Sequence, residues 1–239
     1  MLSRAEVMRA AAGRNGLLAG VPADELEQLT PHLKAVNLEP KRFLLPAREP
    51  LRYVYFPQAG LTSLIVSATS GETVQVAAVG REGMLGVSVA LEANDPPFQM
   101  VCQVAGGALR MPTGRFASLA HELPVFRRLL LRYALGLLHE AARTAACNGL
   151  HSVEQRLARW LLLCCNRVGA NTFPVTHESL AHMLGVGRPF VTQTVGGLEH
   201  AGLIQHERGV LHIVDRAGLE AVSCEDYRTV QEEYTRLLA

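Results

Sequence analysis

The stretch LAHMLGVGRPFVTQTVGGLEHAGLI, from Leu180 to Ile204, restricts what this chain can fold into more than any other. Only Gly185-Val186-Gly187 separates two runs of helical apolar period, and helices joined by so short a glycine-containing turn must cross steeply. Thr176 precedes the first run as an N-cap, and that run extends to about Leu184. The second run begins at Arg188 or Pro189, where proline costs little because a first-turn N–H has no helical partner. Ala181 is small where the helices touch, while Leu184, Val186, Val191 and Val195 or Leu198 point inward. Gly202 stops the second helix. Leu203–His206 and Val210–Val214 then read as two short strands about Glu207-Arg208-Gly209, which completes a winged helix-turn-helix.

The second helix of such a motif lies in the major groove with its N-terminal side chains on base edges. Arg188, Pro189, Thr192 and Gln193 take those outward positions; Arg suits guanine, Gln suits adenine, and Thr suits phosphate or the thymine methyl. His177 and Ser179 on the first helix and Arg208 at the wing tip are placed to hold phosphates. Bulk charge adds nothing to this reading. The formal net charge is +1, and residues 151–214 carry five Arg against four Glu.

At 239 residues the chain has room for a second domain. From about residue 33 to 112, short β-branched or aromatic pieces (RYVYFP, LTSLIVSA, TVQVAAV, FQMVCQVAG) alternate with turn segments, the pattern of a small β-barrel or jelly roll. Ser70-Gly71 is its cleanest hairpin signal, and a helix over residues 17–30 precedes it. After Pro112 the period is helical. RFASLAHEL is followed by a long run from Pro124, with one stripe of Leu130, Ala134, Leu137, Ala141 and Thr144 and another of Leu131, Leu135, Leu138, Ala142 and Ala146. A helix apolar on two sides must be covered on two sides, so one stripe packs on the barrel and the other on a second copy. The first stripe is assigned to the dimer contact.

Ser152 and Gln155 form a capping box ahead of a core-facing helix with Val153, Leu157, Trp160, Leu161 and Cys164 on one stripe. The expected units are therefore 1–123, a β-roll with its N-terminal helix; 124–150, the dimer helix and hinge; 151–214, the winged domain; and 215–239, a helical tail packed on the winged domain. The tail's six acids against three Arg read as a solvated face, with RNA polymerase the alternative contact.

No apolar run reaches membrane-spanning length, and the N-terminus lacks the apolar block of a secretory signal, which places the chain in the cytosol without a membrane partner. Five cysteines at 102, 147, 164, 165 and 224, with no CxxC, read as structural thiols, and no metal set or cofactor is expected. Between His32 and His121 there is no histidine, so the β-roll lacks the ligands of a metal-dependent jelly-roll enzyme. A non-enzyme is the expectation, and a jelly-roll enzyme with a helical appendage the alternative.

With these segments in this order, the chain resembles the Crp/Fnr family of bacterial transcription regulators along nearly its whole length. LAHMLGVGRPFVTQTVGGLEHAGLI is similar to that family's LGxSRxxVxxxLxxLxxxGLI. The resemblance implies an α+β fold with a cyclic-nucleotide-binding-like β-roll, and a homodimer that sets two recognition helices on palindromic double-stranded DNA. It also implies a place for a small-molecule effector, bounded by Gly83, Met84, Leu85, Gly86, Val87, Phe98, Gln99, Leu138, Ala141 and Ala142. The departures bear on that effector. In cyclic-AMP-responsive members a Glu and an Arg-Ser pair take ribose and phosphate, whereas Val87 and Pro97-Phe98-Gln99 stand here, and Ala141-Ala142 replace a Thr-Ser pair that meets adenine. Gating by cyclic AMP in the family's usual mode is thus not expected, and the effector is an apolar molecule or absent. Arg81 or Arg110 would have to supply any anion site. Residues 1–101 contain no cysteine for an iron–sulfur cluster, and His32, His139, Cys102 and Met84 suit haem by residue type alone.

Overall fold

The computed structural model describes residues 4–40, 43–45, 47–69 and 73–238. Helices α1 (Arg4–Ala12), α2 (Gly16–Ala19) and α3 (Ala23–Leu29) lead into strands β1 (Lys34–Leu38), β2 (Phe43–Leu45), β3 (Tyr53–Pro57), β4 (Leu61–Ser67), β5 (Thr73–Val79), β6 (Gln99–Val104) and β7 (Gly106–Pro112). Helices α4 (Thr113–Glu122), α5 (Pro124–Leu150) and α6 (Val153–Val168) follow, then β8 (Thr172–Pro174), α7 (His177–Leu184), α8 (Arg188–His200), β9 (Ile204–Glu207), β10 (Val210–Ile213), α9 (Arg216–Val222) and α10 (Asp226–Leu238).

The first seven strands form two antiparallel sheets, β1-β7-β3 and β2-β6-β4-β5, whose inner faces make the β-roll. Thr73 pairs with Ser67, so β4 and β5 form a hairpin, but the Ser70-Gly71 turn itself lies outside the described residues. Phe56, Phe116 and Phe126 fill the roll between strands and helices, the last two edge to face at 5.8 Å. The single helix expected over 17–30 is instead two. Gly20 closes α2, and Pro22, at φ −58° and ψ 153°, is the N-cap of α3. Buried Asn15 fastens this corner to the roll, donating through Nδ2 to the carbonyls of Pro57 (2.8 Å) and Gly83 (2.7 Å).

Helix α5 begins on a buried carboxylate. Glu25 accepts the N–H groups of Val125 (3.0 Å) and Phe126 (2.7 Å), matching a negative charge to the positive end of the helix dipole. Beyond that turn α5 has three faces rather than two, and the stripe assignment is corrected. Leu130 is fully buried in its own chain's core, and Ala134, Leu137 and Ala141 face the β-roll with Thr144 half-buried further on; the side left in solvent is Leu131, Leu135 and Leu138, at 42%, 40% and 64% exposure. The geometric reason is the third face, Tyr133, Gly136 and Glu140, which α10 covers: the rings of Tyr133 and Tyr234 lie 6.2 Å apart, and a Cβ at Gly136 would press on Tyr234. This corrects the tail as well. It is two helices, of which α9 packs on α6 while α10 packs chiefly on α5 and reaches the winged domain's core through Tyr227, Val230 and, at its edge, Tyr234.

A buried ion cluster locks the units together. Arg167 on α6 holds Glu140 of α5 at 2.6 Å and Glu82, from the loop after β5, at 3.1 Å, while the Tyr234 hydroxyl donates to the same Glu140 oxygen at 3.0 Å. Burial pushes the Glu82 carboxyl above its ordinary value, and Arg167 pulls it partly back. Leu61, Ala78 and Val104 of the roll join the apolar core of the winged domain, so the two domains share a continuous packed seam. Among the described residues no helix is long and apolar enough to cross a membrane.

Candidate nucleic-acid interface

The helix-turn-helix is built as local sequence dictates. Thr176 accepts the Ser179 N–H as N-cap of α7, and Gly185 ends that helix at φ +63°, a left-handed conformation that costs glycine nothing. Leu180, Leu184, Val191, Val195 and Leu198 are buried, which fixes α8 against α7 and α6. The opposite side of α8 is open: Arg188, Pro189, Thr192 and Gln193 are all exposed. Phe190, 62% exposed on the first turn, shares that side, a placement that helical period alone does not distinguish from a core aromatic. On the wing, β9 and β10 are joined by Arg208 (φ +51°) and Gly209 (φ +76°), a two-residue turn with both residues left-handed, as in tight hairpins. That geometry puts the exposed Arg208 at the wing tip. Neither Arg188 nor Arg208 is in a salt bridge among the described residues.

His177 does not face outward as expected. It is half-buried, stacked on His206 with ring centroids 4.8 Å apart, and its Nδ1 lies 3.1 Å from the Thr192 hydroxyl. His206 in turn meets the Val175 carbonyl at 2.9 Å. The pair therefore joins α7, α8 and the wing. Burial, then the His206 ring and the Arg188 guanidinium, hold the His177 imidazole below its ordinary value, so it is neutral at pH 7 and offers no charge to a phosphate. Ser179 is half-buried, with its hydroxyl 3.0 Å from that of Thr176.

The second site is a cavity of about 250 Å³ between the β-roll and α5. Of the residues expected around an effector, Met84, Leu85, Gly86, Val87, Phe98, Leu138 and Ala141 line it, together with Leu64, Val76, Ala77, Ser88, Leu91, Met100, Ala134 and Leu137. Gly83, Gln99 and Ala142 do not. Gly83 sits where a Cβ would overlap the Tyr133 ring on another face of α5, Gln99 pairs along β6 with Ile65, and Ala142 is on the exposed side of the helix. The lining is hydrocarbon and thioether apart from Ser88, whose buried hydroxyl has no partner. Neither candidate arginine enters: Arg110 stacks over the Tyr53 ring at 4.2 Å, and Arg81 donates to the Asn166 carbonyl at 3.2 Å. The residues that suit haem by type are dispersed, His139 bonded to Glu233 at 2.6 Å, His32 accepting from Arg115 at 3.1 Å, and Cys102 buried in a separate small cluster with Leu38 and Ala108.

Comparison with known proteins agrees with this architecture. Residues 155–222 match the Crp-like helix-turn-helix domain. The fold is similar to that of FixK2 from Bradyrhizobium japonicum, at 15% identity and TM-score 0.69, over 80% of this chain and 98% of that one. It is also similar to a crp/fnr-family transcriptional regulator from Eubacterium rectale, at 14% identity and TM-score 0.67, over 88% and 98% of the two chains. A third similar structure is CLP from Xanthomonas campestris, a c-di-GMP-responsive global regulator, at 15% identity and TM-score 0.65 over 80% and 99%. No curated protein matches the sequence. Residues 155–222 are thus a Crp-like helix-turn-helix domain, and along most of its length the chain shares the fold of solved structures that include a crp/fnr-family regulator.

Proposed function

We propose that the chain acts as a homodimer that binds a palindromic DNA site and regulates transcription, and that its β-roll admits an apolar effector rather than a cyclic nucleotide. The observation that carries the DNA reading is the split character of α8: Val191, Val195 and Leu198 anchor it inside, while Arg188, Thr192 and Gln193 are presented together on the solvent side. Arg188 reads guanine, Gln193 an adjacent base, and Arg208 a flanking phosphate. The exposed leucines of α5 supply the self-contact. A cavity without a cation, lined by Met84, Phe98, Met100 and Leu138, suits a hydrocarbon or aromatic molecule and leaves a phosphate unsolvated.

The test is fluorescence anisotropy on DNA upstream of the protein's own gene and on scrambled DNA, at two salt concentrations, with and without cyclic nucleotides. Specific binding with no nucleotide is expected. Arg188→Ala should lower specific affinity by about 1–3 kcal/mol and relax preference at one base step, whereas Arg208→Ala should weaken both DNAs alike and flatten the salt dependence. Specific binding seen only with a nucleotide would refute the apolar-effector reading, and equal binding to both DNAs would remove the sequence-specific one.

A further inference from the structure

Cys147, His151, Cys224 and Asp226 bring four metal-ligating atoms within 4.8 Å of one another. Cys147 lies in the last turn of α5, His151 just past its end, Cys224 between α9 and α10, and Asp226 opens α10. Cys147 Sγ is 3.1 Å from Cys224 Sγ, 3.2 Å from Asp226 Oδ2 and 3.3 Å from His151 Nδ1, and His151 Nδ1 is 3.8 Å from Asp226 Oδ2. A tetrahedral zinc ion bound at typical Zn–S and Zn–N/O lengths spaces its ligand atoms about 3.3–3.8 Å apart. The sulfur–oxygen and sulfur–nitrogen separations are therefore within about 0.4 Å of what zinc requires, and small side-chain shifts that part the two sulfurs by about 0.6 Å and draw His151 and Asp226 about 0.5 Å closer complete the set.

We propose that these four residues form a structural site for a zinc-class divalent cation at the joint between the long helix and the winged domain. Three observations support a metal over a thiol network or a disulfide. Two sulfurs, an imidazole nitrogen and a carboxylate oxygen converge on one point, whereas a disulfide would use only the sulfurs and leave the buried Asp226 oxygen against them. The outer partners are those a metal site needs: His151 turns its far nitrogen, Nε2, to Glu225 at 3.4 Å, which leaves Nδ1 directed inward, and Arg143 holds the other Asp226 oxygen at 3.3 Å. The charges also close. A divalent ion with two thiolates and one carboxylate leaves a single negative charge, and Arg143 offsets it. Each thiol gives up its proton to solvent when the ion binds. Soft thiolate and imidazole donors in a closed set of four select zinc over magnesium or calcium, and the site is structural because it leaves no open position. The ion ties the end of α5 to the start of α10, the helix that covers the third face of α5.

The test uses the full chain, reduced and stripped with a chelator, titrated with Co²⁺ alone and then with Zn²⁺ alone. One Co²⁺ per chain is expected, with the visible bands of tetrahedral cobalt and a thiolate-to-cobalt charge-transfer band that Zn²⁺ abolishes. Cys147→Ser and Cys224→Ser should remove that band and Cys102→Ser should keep it, while Zn²⁺ should raise the Tm of the native chain and not that of the two site variants. Should the serine variants not fold by circular dichroism, His151→Gln at the rim is expected to weaken Co²⁺ at least tenfold. A reduced native chain that shows no charge-transfer band, or a band that survives both site-cysteine changes or is indifferent to His151→Gln, overturns the proposal.

Discussion

Replacing Arg167 with Ala removes the one cation between two carboxylates that face each other across the domain seam. Its side chain is 7% exposed, that of Glu140 4%, and that of Glu82 23%. Breaking a buried pair by deleting one partner costs about 3–5 kcal/mol because the orphaned charge stays desolvated. The lower end applies here. Glu140 keeps the Tyr234 hydroxyl, and Glu82 keeps the Gly80 N–H at 2.9 Å. A loss of about 3 kcal/mol, at a urea m-value of about 3 kcal/mol/M, lowers the unfolding midpoint by about 1 M. The loss is also pH-dependent. Burial already holds the Glu82 carboxyl above its ordinary value and Arg167 pulls it partly back, so without Arg167 that rise is unopposed and the variant gains stability on protonation and loses it as pH rises. The deficit should shrink as pH is lowered toward about 5. Pairing Arg167→Met with both Glu140→Gln and Glu82→Gln should recover much of the loss, because removing all three charges leaves no orphan. A midpoint shift below about 0.3 M, or a deficit that grows on acidification, would refute the argument.

Leu135→Arg should convert a dimer to monomers in analytical ultracentrifugation, since Leu135 is in the exposed stripe of α5; Leu130→Ala should leave the association state alone and cost about 2–5 kcal/mol of stability instead. An unchanged mass for Leu135→Arg would place self-association elsewhere. His177 has a folded pKa below its ordinary 6.5, so the unfolded chain binds a proton the folded ring refuses, and stability should fall as pH drops from about 7 through that range. Thermal melts across pH should show a flatter profile for His177→Gln, and parallel profiles would remove His177 from the acid response. Widening Phe98→Trp should fill the α5 cavity and abolish uptake of an apolar fluorescent probe while leaving apo DNA binding intact; undiminished uptake would put the probe elsewhere.

The sequence by itself determined the local structure: the Ser152–Gln155 capping box, the Thr176 cap, the Gly185 turn, the proline-opened α8 and the wing. Each depends on residues a few positions apart, whose dihedral preferences and caps act before any tertiary contact forms. The alternation of short apolar pieces likewise made the β-roll legible, as did the loss of the charged residues a cyclic phosphate requires. Only the tertiary structure decided which stripe of α5 is covered. Leu130 and Leu131 are neighbours on a helix that is apolar most of the way round, and periodicity cannot say which side another element will claim. The same holds for His177, outward by helical phase yet turned inward by His206 on a strand twenty-nine residues on. It holds most of all for the thiol cluster. Cys147 and His151 are one helical turn apart, but Cys224 and Asp226 reach them only because α10 folds back along α5, a long-range packing outcome that no local spacing encodes.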